Sequence, residues 1–326
     1  MSLLRPALIG CLTAAVLLPA AAAQAHVISD RELRVVAQMP PEFVSKTFAA
    51  FLPLGAGFVP PNRPLDWQSV AAQCPAGLLL IDAAARGDTA LAERAWTALD
   101  VAIAQQLPDG NFKRAGAPTD RRRTGGELFG SVVGPSVDEL ADDAAWLAST
   151  HRALIAVMNS RLAERFRARY AAIKPRLQLS ADFLEARRAS FLVARANDAP
   201  TLLTAAAAFL LADGTFHEPR YASAGEKALA AALELQEPDG SFPVAGRADP
   251  VSHARALLAL HSIAIYFPSA PTEKAAVWAA SWLKAHRRVA TRDLHHRLAA
   301  AEIEFALRYA AIKPPAPITP ATNVQH

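Results

Sequence analysis

The chain reads as an all-α protein, a duplicated array of helical hairpins, and three observations lead to that class. A heptapeptide, Arg169-Tyr170-Ala171-Ala172-Ile173-Lys174-Pro175, returns intact as Arg308-Tyr309-Ala310-Ala311-Ile312-Lys313-Pro314, and each copy is expected to close a helical run. Pro108-Asp109-Gly110-Asn111-Phe112 is echoed by Pro238-Asp239-Gly240-Ser241-Phe242, both after alanine-rich segments. Apolar residues recur at spacings of three and four through most of the chain, with no strand-like alternation. Stacked helix pairs bury their apolar faces between neighbours and leave a rim of loops open to a ligand.

The two ends read differently from the middle. Residues 1–25 carry Arg5, an apolar stretch from Ala7 to Leu18, then Pro19 and small residues ending Ala23-Gln24-Ala25, the layout of a secretory signal. A periplasmic or secreted protein is therefore expected, starting at His26 and without a permanent membrane span after signal removal. Leu8-Ile9-Gly10-Cys11 has the look of a lipid-attachment box, but it precedes most of the apolar region. Without the signal, Cys74 is the remaining cysteine, so an intramolecular disulfide is excluded and packing must supply stability. With 52% hydrophobic residues the chain can build a large core. A net charge of +4, spread over helices, makes nucleic acid a poor partner.

Residues 26–65 are expected to form an N-terminal helical extension with a proline-rich end at 53–64. Residues 66–314 hold the repeating part, in halves of about 66–175 and 181–314, and 315–326 form a tail. Helices are expected over 66–85 and 89–107, joined by the turn Arg86-Gly87-Asp88, then over 136–158 and 160–173. The second half continues with 181–196, 201–212, 221–236, 251–266, 272–286 and 291–312. In the Asp-Gly turns proline halts the helix, glycine takes a left-handed conformation, and phenylalanine plugs back into the core. Ala212-Asp213-Gly214-Thr215-Phe216 is expected to be a third, proline-less copy.

The segments Ile103–Phe112 and Leu233–Phe242, running from glutamine through Asp-Gly to phenylalanine, resemble turns of the α/α-toroid superfamily. That superfamily includes the six-hairpin glycosidases with their lyase relatives and the terpenoid cyclase-like folds. The resemblance spans most of residues 66–314 and implies an α/α toroid, an incomplete or six-hairpin-like barrel.

Chemistry is sought first in Asp138-Glu139-Leu140-Ala141-Asp142-Asp143, at the start of a helix. A spacing of four sets Asp138 over Asp142 and Glu139 over Asp143. Acidic residues in a first helical turn are also favoured simply by the backbone dipole. In a cleft, paired carboxyls split their pKa values and can share acid and base work, as glycoside cleavage requires. Asp142 and Asp143 followed by Trp146 resemble the Asp-Asp-x-x-Trp motif of secreted endo-α-1,6-mannanases, which implies nucleophile and acid/base roles for the two aspartates. Ala141 and Ala144 depart from that family's aromatic and polar flanks.

A glycine- and arginine-rich stretch between the first Asp-Gly turn and this helix carries Arg114, Arg121 and Arg122. Forked guanidinium groups suit carboxylates or sulfates, so an acidic poly- or oligosaccharide is the expected partner. Trp146 is a candidate sugar platform or a core residue. His253 and Arg255, early in the matching helix of the second half, are candidates to approach the same rim, although a helical histidine is as readily structural. No zinc-ligand spacing, phosphate-cradling loop or nucleophile elbow occurs, and neither a metal nor a cofactor is implied. A secreted glycoside hydrolase or polysaccharide lyase is the leading expectation. A non-catalytic scaffold for envelope or exopolysaccharide biogenesis is the first alternative. A terpenoid cyclase-like enzyme, with Asp138, Glu139 and Asp142 holding magnesium diphosphate, is the second.

Overall fold

A computed structural model describes residues 33–34, 36–39, 74–112, 137–288 and 294–312, and these contain ten helices and no strand. The first hairpin is α1 (Pro75–Arg86) and α2 (Thr89–Ala104). Gly87, at φ 70°, ends α1 in the left-handed conformation, and the Asp88 side chain accepts the Leu91 N–H to start α2. Next come α3 (Val137–Met158), α4 (Ala163–Ala186) and the short α5 (Arg188–Ala194). The later helices are α6 (Ala199–Phe216), α7 (Pro219–Glu234), α8 (Pro250–Tyr266), α9 (Ala270–His286) and α10 (Leu294–Ala311). Three of them open alike: Asp198, Asp249 and Ser269 accept an N–H from the first turn, and a proline stands just inside.

Each Asp-Gly turn is clamped onto a helix further along the chain. The Gln106 amide donates to the Arg176 carbonyl of α4 at 2.8 Å and to the Ser180 hydroxyl at 2.6 Å. The Gln236 amide donates to the Ala275 carbonyl of α9 at 3.0 Å. Asp109 and Asp239 accept the N–H of Asn111 and Ser241, tightening their own loops. Both aspartates serve the turn. The hairpin α1–α2 and its turn thus recur as α6–α7 and its turn, displaced by 130 residues, and α4 corresponds to α9.

Helices α1, α3, α6, α8 and α10 pack in succession, each against the next, while α2, α4, α7 and α9 each pack on the helix before them. Apolar all round, α6 fills the middle, with α3, α7 and α8 against it. It is long and apolar enough to cross a membrane, yet 67% of it is buried in this core. The inner helices α3, α6, α8 and α10 run parallel. At one end Arg195 bridges Asp138 and Asp198, the starts of α3 and α6, and Arg255 pairs with Glu302. At the other end Arg152 and His261 both meet the Tyr309 ring. Val36 and Met39 join the first-half core, and the Met39 carbonyl accepts from Arg86.

Two expectations are corrected. Pro175 does not end a helix: α4 runs through it, because the proline and Ala171, whose carbonyl loses its partner, both face solvent. The heptapeptide copies therefore lie in helices that do not correspond, α4 and α10, and the second copy's Lys313 and Pro314 lie outside the described residues. Asp213-Gly214 is not a turn either, since α6 continues to Phe216 and His217, at φ 57°, takes the left-handed cap position.

At the second clamp, Gly240 sits at φ 89°, and a methyl group there would lie 2.5 Å from the Trp278 carbonyl oxygen. Gly246 has a similar φ of 78° with nothing within 4 Å. Urea unfolding is expected to show Gly246→Ala losing about 1 kcal/mol, the backbone contribution alone. Gly240→Ala should lose clearly more, because α9 must also move away.

Candidate functional site

The faces of α3, α6, α8 and α10 and the start of α1 do not meet completely. A cavity of about 140 Å³ remains between them. Asp142, Ala145, Ser149 and Arg152 form one stripe of α3 along it, and Arg255, Leu258 and Ser262 form the facing stripe of α8. Cys74, Asp142, Arg255 and Glu302 gather at the end where α3 and α8 begin. Arg152 stands at the other end, its guanidinium 4.9 Å from the Tyr309 ring centroid. Ten residues of α3 separate Asp142 from Arg152, so the slot is about 15 Å deep. Its walls are Ala145, Ala148, Ala207, Leu258 and Ala259.

Charge is concentrated at the mouth. The Arg255 Nε donates to a Glu302 carboxylate oxygen at 3.1 Å, and Glu302, then Asp142, hold the guanidinium above its ordinary pKa. Burial pushes the Cys74 thiol up to about 12, with Asp142 and Glu302 adding to the effect and Arg255 opposing it. At neutral pH Cys74 is therefore a thiol and a poor nucleophile. Its carbonyl accepts the Ser149 hydroxyl at 2.8 Å, tying the start of α1 to the cavity wall.

Of the residues singled out by sequence, Asp142 and Arg255 are brought together here. Asp143, one position on and rotated about 100° around α3, is 2% exposed and turns away from the slot. Trp146 and His253 are corrected from ligand-binding candidates to core residues. Trp146 is fully buried, edge-on to Phe112 with centroids 5.1 Å apart. His253 is fully buried as well: its Nδ1 accepts the Phe242 N–H at 3.2 Å, so Nε2 holds the proton and donates to the Ala279 carbonyl at 2.9 Å. Each thus underlies the phenylalanine of an Asp-Gly turn.

The Asp138 carboxylate is ion-paired with Arg195. Among the described residues no three or more His, Cys, Asp or Glu side chains gather to hold a metal. Arg114, Arg121 and Arg122 lie outside the described residues. Glu302 and Arg152 escaped the sequence reading. Arg152 lies on the same helical face as Asp142 and was open to discovery by periodicity, whereas Glu302 reaches the cavity only through the packing of α10 on α8.

These elements define the class: an all-α protein of paired helices, with a charged-mouthed slot between parallel inner helices. No protein-family model matches the chain, and no curated protein matches it either.

Burial has a second consequence, for pH. It lowers the pKa of His151 to about 3 and that of His261 to about 4, and lowers that of His253 as well. His151 is held neutral against the Thr215 hydroxyl at 3.2 Å and the Phe216 edge. A depressed folded-state pKa gives stability that is complete above the unfolded value near 6.5 and is lost as pH falls toward the folded value. Stability is expected to decline between pH 6.5 and 4, by up to about 1.4 kcal/mol per pH unit for each such histidine. Urea midpoints measured across that range check this, and His151→Leu should flatten part of the slope.

Proposed function

We propose that the inner helices are the core of an α/α toroid and that the slot mouth is the working site of a secreted or periplasmic carbohydrate-active enzyme. The observation that carries this reading is one cavity lined by two carboxylates, Asp142 of α3 and Glu302 of α10, both of which act electrostatically on one guanidinium, Arg255. Glycoside cleavage needs two carboxyl groups in different protonation states. One donates a proton to the departing oxygen; the other, ionised, attacks the anomeric carbon or activates water. Asp142 and Glu302 supply that pair in place of Asp142 and Asp143, because adjacent helical residues diverge while residues on different helices can face one cavity. Arg255 orients sugar hydroxyls or a uronate carboxylate.

Asp142→Asn and Glu302→Gln are expected each to lower turnover of a cleaved glycan by about a hundredfold or more while melting temperature changes little. A screen of neutral and uronate-containing oligosaccharides, read by reducing-end release and by absorbance of unsaturated products, covers hydrolysis and elimination. Unchanged turnover in both variants would overturn the assignment.

A second reading, a non-catalytic binding protein for envelope glycans, is favoured by the lining itself. Among the described residues the slot presents no aromatic ring, the usual platform for a sugar face. Saturable glycan binding with no product from any oligosaccharide in the screen would select it.

A further inference from the structure

The slot beneath the mouth is unlike a sugar subsite in size and in chemistry. Ligand pockets commonly span about 300–1,000 Å³, so a volume of about 140 Å³ accommodates one substituent of a ligand and not an oligosaccharide. It is also narrow, being about 15 Å deep. Below the mouth most of the lining groups are methyl and isobutyl side chains, joined by the hydroxyls of Ser149, Thr204 and Ser262. The hydroxyls of Thr204 and Ser262 donate to carbonyls of their own helices, which leaves no hydroxyl proton from either for a sugar. Arg152, 5% exposed and stacked on Tyr309, ends the slot.

We infer that the slot is a binding site for an unbranched alkyl chain, so that the ligand of this protein is an alkyl- or acyl-bearing glycoside rather than a bare polysaccharide. The sugar sits at the mouth among Asp142, Arg255 and Glu302, a placement that rests on the function proposed above. The chain runs inward between Ala145 and Ala148 of α3 and Ala207 of α6, and reaches no further than Arg152. The alanine faces then have a purpose: a larger side chain at any of them would occupy the space of the alkyl chain.

Titration calorimetry with methyl, octyl and dodecyl glucosides and mannosides, all below their micellar concentrations, and with octanol tests this. For at least one sugar the octyl glycoside is expected to bind about tenfold or more tightly than the methyl glycoside, because its methylenes leave water. The dodecyl glycoside, whose extended chain is about as long as the slot, should bind at least as tightly as the octyl glycoside. Ala145→Leu and Ala148→Leu are two independent plugs, each expected to erase the octyl advantage while leaving methyl glycoside binding unchanged. Equal affinity for octyl and methyl glycosides, an octyl advantage that survives both plugs in folded protein, or no binding of any probe overturns the inference. If octanol binds as tightly as the octyl glycosides and is excluded by the plugs, the alkyl site stands and the carbohydrate reading fails. If methyl and octyl glycosides bind alike through Asp142 and Glu302, the reverse holds.

Discussion

Everything in this molecule depends on how closely its inner helices approach one another. Small residues set that distance: Gly225 of α7 lies so near Leu210 of α6 that a methyl group would come within 2.6 Å of its side chain, and Gly77 of α1 is equally tight against Ser149 of α3. Alanines at 205 to 208 let α6 be enclosed on all sides. Where those small faces meet fully they make a core; where the α3 and α8 faces stay apart they make the slot. The same compositional choice therefore builds the protein and hollows it.

Close approach of parallel helices also carries an electrostatic consequence. With α3, α6 and α8 starting at one end, several backbone dipoles present their positive ends together there, and that is where Asp138 and Asp198 sit, with Asp142 close behind. Arg195 and Arg255 neutralise parts of this group. The opposite end is different, with neutral buried histidines and an arginine resting on an aromatic ring. Along the slot, charge at the mouth gives way to walls made mostly of alanine and leucine side chains.

Much of the architecture was legible because it is local. The turn Arg86-Gly87-Asp88 sits where a left-handed glycine and an N-cap aspartate place it, and the Asp-Gly turns hold their aspartates in loop-closing hydrogen bonds. Local rules failed at Pro175, where solvent exposure of the proline face let α4 continue, and at Gly214, where neighbours on all sides of α6 outweighed the turn signal of Asp-Gly. Of the residues that the sequence singles out, some line the slot and others are packed inside. Asp142 and Arg255 lie at the slot mouth, but the doublet partner Asp143, with Trp146 and His253, faces the core.

What the sequence determined by itself was the all-helical character, most helix positions and the paired turns, since periodicity, caps and glycine conformations act over a few residues. Tertiary structure alone decided that the period is 130 residues and not the spacing of the heptapeptide, that His253 clamps a turn, and that Glu302 and Asp142 line one cavity. Which face of a helix meets a cavity depends on neighbours more than a hundred residues away. No local pattern encodes that, because it arises only when the apolar faces of all the helices are satisfied together.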